Sequence, residues 1–375
     1  MTIMADNFLL NSQEIFLMND PIVKVLAAYG LASDQAVWKP FGTGHINSTY
    51  LISISGMDQQ FILQSINHCV FKNPLIIAEN VRLVAEYLQK HYPSYLFVSS
   101  IPTLKGDEMA LINETYWRLT NFIPNSIAYE TLSDPRQAYE AAEQFGRLSK
   151  LLNEFDASQL KPSIPGFHDL NLRYDQFKKA LENANASLKT RASEEIDKAL
   201  RHSFIVDFFN SYKNSPDFPD RAMHHDTKIS NMLFDKKTKE GICVIDLDTL
   251  MAGKFISDLG DMMRTYLCAS SENEPDMDKI FIRIDYFEAI IKGYLKEMGS
   301  ILTATEKDLI VFSGKYLIYM QALRFLTDFL NGNIYYPVVY PEQNLVRTVN
   351  QFKLLSEFFN REKILQDIVS SCLND

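Results

Sequence analysis

The sequence predicts an α+β chain in two lobes, a small and mostly β lobe over residues 1–121 and a larger, mainly helical one over residues 122–375. Three observations predict it. Between Val37 and Ile123 short apolar runs recur with glycine-bearing or polar turns between them, which is how strands read. From Asp134 onward apolar residues return at every third or fourth position, which is how helices read. Pro124-Asn125 interrupts the chain where one pattern gives way to the other.

Each element follows in order. Glu14 to Tyr29 carries Ile15, Phe16, Ile22, Val23, Val25 and Leu26 at helical spacing, with Pro21 in a first-turn position and Gly30 as a stop. The strand Val37–Phe41, the loop Gly42-Thr43-Gly44-His45-Ile46-Asn47-Ser48 and the strand Thr49–Ile54 form a hairpin. Asn47 takes the third glycine's place in this Gly-x-Gly-x-x loop, because Asn enters the left-handed region more readily than other non-glycine residues. Backbone amides of such a turn can lie over a nucleotide's phosphates, although glycine-containing hairpins also occur without ligands. Phe61–Gln64 is the next strand, and Asn73-Pro74 caps a helix to Leu88 with Ile76, Ile77, Val81, Val84 and Leu88 inward. Glu79 or Asn80 either faces Gln64 or meets solvent. Strands over 100–104, 109–112 and 116–123, turned at Gly106-Asp107, complete this lobe with its one key helix.

In the second lobe, Arg136 to Phe155 aligns Ala138, Ala141, Phe145, Leu148, Leu151 and Leu152 on one helical face. A proline-rich connection then leads to Phe167-His168-Asp169, where His168 and Asp169 either touch substrate or supply a cap and a loop hydrogen bond. Helices fill 172–213. Ser257-Asp258-Leu259-Gly260-Asp261 opens another helix, with Asp258 suited to capping it. Helices over 280–297 and 306–330, and one from Pro341 into the tail, close the lobe.

The chain is organised around Arg221 to Asp248. Met232–Asp235 and Ile242–Ile245 read as a hairpin with a loose polar loop. With that loop centred between Thr238 and Lys239, Asn231 falls opposite Asp246, and directly opposed Cβ atoms lie only about 4.5–5.5 Å apart. One amide oxygen and one carboxylate are the hard ligands that Mg²⁺ takes alongside substrate phosphates. Asp226 stands five residues before Asn231, close to that metal without holding it. The set His224, Asp226, Asn231 and Asp246 has the spacing of a kinase catalytic loop followed by a metal-binding strand Asp, and so predicts a bilobal protein-kinase-like fold using ATP and Mg²⁺. Asp226 would orient and deprotonate an acceptor hydroxyl. Asp248 would touch a second metal or brace the loop. Gln64 stands where protein kinases carry a Lys, so the strand offers an amide without a charge, and Mg²⁺ must carry more of the phosphate neutralisation.

Composition sets the outer bounds. Of 375 residues 46% are hydrophobic and 22% charged, which suits a globular chain, and a net charge of −10 without a basic run argues against nucleic-acid binding. The four cysteines are far apart and propose neither a zinc site nor disulfides. No basic leader and no apolar stretch of spanning length is present, so the expectation is a cytoplasmic protein without a membrane partner, monomeric or weakly self-associating.

As a set these motifs resemble the aminoglycoside phosphotransferase and choline kinase superfamily, and within it the N-acetylhexosamine 1-kinases. The resemblance rests on Phe41-Gly42-Thr43-Gly44-His45-Ile46-Asn47, Phe61–Gln64, Phe155–Leu160, Asp226-Thr227-Lys228 and Ile245–Thr249. It extends to Arg324-Phe325-Leu326 and Tyr340 through Thr348. It implies transfer of the ATP γ-phosphate to the anomeric hydroxyl of N-acetylglucosamine or N-acetylgalactosamine. It also implies Asp226 as base, Lys228 as a charge near the transferring phosphoryl group, Asn231 and Asp246 as Mg²⁺ ligands, and Arg324 and Tyr335 against the sugar. Gly42, Gly44, His45, Asn47 and Gln64 would meet the nucleotide. Read from its surroundings alone, Arg324 either donates to ring hydroxyls or pairs with Asp328 at i,i+4, and Tyr335 either stacks on a sugar or closes the core. Homoserine, choline and aminoglycosides are alternative acceptors. A catalytically silent nucleotide-binding module is the reading from another class.

Overall fold

Apolar residues on alternate positions of short strands need a second layer to cover them, and the first unit of the protein supplies it with a helix. The structure, a computed structural model, describes residues 20–42 and 46–374. The chain divides into one unit of residues 1–86 and 98–124 and another of 87–97 and 125–375. In the first unit the strands are β1 (Ala36–Pro40), β2 (Ser48–Ile54), β3 (Gln60–Ser65), β4 (Ser100–Ile101), β5 (Ala110–Ile112) and β6 (Thr115–Asn121). They form one antiparallel sheet in the order β1-β2-β3-β6-β4, with β5 also on β6. Helix α1 (Pro21–Ala28), capped by Asp20, lays Ile22, Val25, Leu26 and Tyr29 on Ile52, Phe61, Leu63, Trp117 and Leu119. Burying each such side chain contributes about 1.5–3 kcal/mol. Tyr29 then pins the layer by donating to Trp117 O at 2.8 Å. The sequence-predicted helix start at 14–19 lies outside the described residues. Helix α2 (Pro74–His91) buries Ile77, Val81, Val84 and Leu88, while Ile76 is only partly covered.

The second unit contains β7 (Ser126–Ile127), α3 (Pro135–Leu151), α4 (Leu170–Asn183), α5 (Ala186–Arg191), α6 (Ser193–Arg201), α7 (Phe204–Tyr212), β8 (Arg221–Met223), β9 (Met232–Asp235), β10 (Gly241–Val244), β11 (Met251–Gly253), α8 (Ile256–Tyr266), α9 (Ile284–Met298), α10 (Ala304–Asp308), α11 (Ile310–Leu330) and α12 (Gln343–Asn374). Its strands make two small antiparallel sheets, β10-β9-β7 and β11-β8. Helix α11 is the centre: every position but Arg324 and Thr327 is buried, as an all-round apolar helix in a core requires. Helix α8 lies close to it because residue 260 is glycine, where a Cβ would come within 2.3 Å of Ser313 O. Helix α3 ends at Leu151, short of the predicted Phe155, which belongs to the following turn.

The β9–β10 register differs from the one predicted. Val244 pairs with Met232 and Cys243 with Leu233, but Gly241 pairs with Phe234, so Ile242 is an extra residue bulged out of the ladder. Ile245 N consequently donates to Asn231 O at 2.9 Å, and Asn231 opposes Ile245 rather than Asp246. The cause is a tertiary contact: Gly241 turns its amide to Glu140 Oε2 at 3.0 Å and has no room for a side chain beside Gln144.

Strand β8 is anchored by a buried ion pair. Arg221 donates from Nε and Nη2 to the two Glu306 oxygens at 2.9 and 2.8 Å, and from Nη1 to Asn153 Oδ1 at 2.6 Å. Removing one partner strands a buried charge, so Glu306→Ala should lower unfolding stability by about 3–5 kcal/mol in urea titration. A loss near that of an exposed pair, about 0–1 kcal/mol, would refute this role.

Candidate functional site

The segment from His224 to Asn231 is short and polar, and its backbone is gripped from several sides. Asp258 accepts from His224 N at 3.0 Å and His225 N at 2.7 Å, one amide on each carboxylate oxygen. One turn later on α8, Asp261 accepts from Thr227 N at 2.9 Å while holding Arg264 on its other oxygen. Thr227 Oγ1 donates to Asp258 O, Tyr266 OH to Thr227 O, and Thr249 Oγ1 to His224 O. His224 Nε2 donates to Ile245 O at 2.9 Å, tying the segment to the strand that follows. Asp258 is therefore not the helix cap its position suggested. Helix α8 begins at Ile256 without a side-chain cap, and the carboxylate grips the loop instead. Asp261, Thr227, Thr249, Arg264 and Tyr266 were not read from the sequence as part of this grip.

The grip sustains an uncommon backbone. His225 has φ 66°, a left-handed conformation costing a non-glycine residue about 1 kcal/mol or more. Its ring packs so closely on Gly253 that a Cβ there would lie 2.3 Å from Cε1. Nδ1 of His225 meets Ser257 Oγ at 2.6 Å, and the same hydroxyl meets His168 Nδ1 at 2.5 Å.

Asp226, Lys228 and Asn231 form one hydrogen-bonded group. Lys228 Nζ donates to Asp226 Oδ2 at 2.9 Å, and Asn231 Nδ2 donates to the same oxygen at 3.0 Å and to Asp226 O at 2.8 Å. Both amide hydrogens of Asn231 are thereby spent, which leaves its Oδ1 without a hydrogen-bond partner among the described residues. Burial pushes the Asp226 carboxyl up, but the Lys228 charge and hydrogen bond, the His224 ring and the Asn231 amide outweigh it and hold it below its usual value. Burial lowers the Lys228 ammonium, and the carboxylates of Asp226 and Asp246 more than reverse this. Asp246, the residue after Ile245, sits at φ 61°, ψ 60°, so the backbone turns sharply where its carboxylate leaves the strand. Asn231 Oδ1 and the Asp246 carboxylate are hard oxygen donors that fit a Mg²⁺ arriving with a nucleotide. Among the described residues no three His, Cys, Asp or Glu side chains gather as a metal cage. Asp248 is buried in the turn Leu247–Thr249.

In the first unit Gly42 has φ 78°, and Phe41 N closes the hairpin on Thr49 O at 2.9 Å. Gly44 and His45 lie outside the described residues. Asn47 is not among the described residues with positive φ, contrary to expectation; its Oδ1 instead accepts from Asn67 N at 3.0 Å. Gln64 donates to Thr49 Oγ1 at 3.1 Å and accepts from Arg118, a buried cation that the sequence reading passed over.

A third group surrounds Arg324. Its guanidinium lies over the Phe167 ring at 5.3 Å and the Tyr336 ring at 5.6 Å, and donates to Gln321 Oε1 at 3.1 Å. It does not pair with Asp328. That buried carboxylate accepts the backbone amides of Ile334, Tyr335 and Tyr336 and the Asn344 side chain. Gly332 and Asn333, at φ 85° and 62°, turn the chain into this clasp. Tyr335 is 61% exposed, and it is Tyr336, against Phe325 at 4.8 Å, that closes the core. Phe167 stacks on His168 at 4.4 Å, so the Ser257 hydroxyl connects the Arg324 group with the Asp226 loop. Asp169 caps α4 through Asn171 N and Leu172 N.

The sequence matches the phosphotransferase enzyme family over residues 37–285. In fold the chain is similar to the microcompartment-associated aminopropanol kinase, with TM-score 0.60 and 16% identity over 92% of this chain and 98% of that one. It is similar also to spectinomycin phosphotransferase in complex with ADP and spectinomycin, at 0.55 and 16% over 94% and 97%. A choline kinase from Cryptosporidium parvum Iowa II matches at 0.51 and 15% over 97% and 100%. The predicted protein-kinase-like fold class is thus borne out. Among the described residues no helix is long and apolar enough to cross a membrane.

Asp258→Asn replaces one acceptor oxygen with a donor facing a backbone N–H, so amide exchange at His224 or His225 should quicken about tenfold or more, equivalent to about 1–3 kcal/mol. Unchanged exchange would mean the loop is held elsewhere. Burial raises the Asp258 carboxyl from 3.8 to about 6. A raised acid binds its proton more tightly in the folded state, so its contribution to stability is full below 3.8 and falls as pH rises through about 6. Wild type should therefore lose up to about 3 kcal/mol relative to Asp258→Asn across that window in urea titrations at stepped pH. A pH-independent difference would contradict the assignment.

Proposed function

The chain belongs to the phosphotransferase enzyme family, and from that premise we propose that it transfers the γ-phosphate of ATP to the anomeric hydroxyl of an N-acetylhexosamine, giving the sugar 1-phosphate and ADP. Asp226 is the base. Its Oδ2 is occupied by Lys228 and Asn231, while Oδ1 takes no hydrogen bond among the described residues and can accept the hydroxyl proton. Because the carboxyl is held below its usual value, it is ionised at neutral pH. Asn231 Oδ1 and Asp246 would hold Mg²⁺, which when bound neutralises charge between the phosphates. Lys228, at a partly exposed position, can turn from Asp226 toward the transferring group.

The observation that carries the choice of acceptor is the Arg324 guanidinium. It is the one charged residue of α11 that is not buried, it stands between two aromatic rings, and a carboxamide is its hydrogen-bond partner. No carboxylate among the described residues lies at ion-pair distance from it. A second cation is near: burial, and then the Arg324 charge, pull the Arg173 guanidinium below its usual value. Such a pocket favours a neutral acceptor rich in hydroxyl and acetamide oxygens, and rejects an ammonium by like-charge repulsion. Tyr335, exposed and edge-on to Tyr336, offers a ring face to a pyranose. Choline, aminopropanol and spectinomycin carry an amine or ammonium that this pocket would repel.

A screen of ATP consumption over N-acetylglucosamine, N-acetylgalactosamine, glucose, choline, aminopropanol, homoserine and spectinomycin should single out the N-acetylhexosamines, with ³¹P NMR placing phosphate on C1. Turnover of an amine acceptor in their stead would overturn the assignment. Asp226→Asn should lower kcat by about 10²–10⁴-fold while ADP binding stays within a few-fold, and near-normal kcat would remove Asp226 as base. Arg324→Met should raise the acceptor KM by about tenfold or more without changing that for ATP.

A further inference from the structure

Gln64 occupies the strand position where protein kinases carry a phosphate-directed Lys, and a carboxamide has no charge to offer. The positive charge is one strand away. Arg118 on β6 is the direct antiparallel partner of Gln64 on β3, and Thr49 on β2 is its partner on the other side, so the three side chains form a row across the sheet. Arg118 is 6% exposed. Its Nε and Nη2 converge on a single atom, Gln64 Oε1, at 2.9 and 2.7 Å. A guanidinium can only donate, which identifies that atom as oxygen and the other end of the carboxamide as Nε2. One Nε2 hydrogen goes to Thr49 Oγ1 at 3.1 Å, and the second has no partner among the described residues.

This row does two things at once. Two donors drawing on Oε1 polarise the amide, so Nε2–H becomes a stronger donor than that of an isolated glutamine. Thr49 is also the residue whose carbonyl closes the glycine hairpin on Phe41 N at 2.9 Å, so the orientation of Gln64 is fixed to the turn that carries Gly42. Packing alone does not ask for this, since buried polar groups of this kind can often be replaced by apolar side chains without loss of stability. We propose that Arg118 is a positioning residue for the nucleotide: through Gln64 it directs a buried positive charge to the phosphates, in the role a strand Lys plays elsewhere. The inference rests on the nucleotide-dependent reading above.

The test separates phosphate recognition from folding. The full-length protein is titrated calorimetrically with adenosine and with Mg-ADP, and the ratio of the two affinities reports what the phosphates add. In Arg118→Met that ratio should fall by about tenfold or more, while adenosine affinity holds within about twofold, as expected for the loss of one charge-assisted contact. Arg118→Lys should recover part of the loss. Gln64→Met, which leaves the guanidinium in place, should lower the ratio in the same direction and serves if Arg118→Met does not fold. A reduced Tm with an unchanged ratio in these variants would make the row purely structural and overturn this inference alone. Failure of the wild-type protein to bind Mg-ADP would overturn both it and the nucleotide reading.

Discussion

The Asp258 carboxylate, with one oxygen on each of two consecutive backbone amides, is the contact on which the rest of the site depends. The segment gripped in this way is neither extended nor helical throughout, since His225 sits at φ 66°. Asp261, one helical turn on, adds a third backbone amide, that of Thr227. Two carboxylates spaced i,i+3 on one face of α8 thus set the path of the whole segment. The helix is itself located by the close approach of Gly260 to α11. The dihedral cost at His225 is of order 1 kcal/mol, and several buried hydrogen bonds offset it.

Much of this was legible in the sequence, and the exceptions have physical causes. Strand β9 runs over the four residues the apolar pattern marked, because alternation within one hairpin is a local property. The bulge at Ile242 was not legible. It exists because Gly241 gives its amide to Glu140, a residue a hundred positions earlier that a strand pattern cannot anticipate. Asp258 read as a cap because a Ser-Asp pair before apolar residues usually is one. Its true partners lie more than thirty residues upstream. The partner of Arg118 was not legible either, since nothing within its own strand shows that Gln64 stands opposite it. Asn231, Asp226 and Lys228 were within reach because a tight loop brings residues two to five apart together whatever surrounds it.

Charge is distributed unequally among the three groups of residues. Around Asp226 opposite charges meet, with Lys228 on Asp226 and Arg264 on Asp261. Around Arg324 the balance is left open, with rings and a carboxamide where a carboxylate would complete an ion pair. The i,i+4 partner that helix geometry offers, Asp328, is withdrawn to hold the turn after α11. A guanidinium kept from its nearest anion remains available to a ligand, and the loop bearing Tyr335 is ordered by the very carboxylate that was withdrawn.

Ser257 joins these regions by one hydroxyl placed between two imidazoles. That hydroxyl owns a single hydrogen and can give it to only one ring, so at least one of His168 and His225 must carry its own hydrogen on Nδ1. The tautomers of the two rings are therefore chosen jointly. Whether the second nitrogen of His168 presents a lone pair or an N–H is decided in part by a ring buried beneath the Asp226 segment.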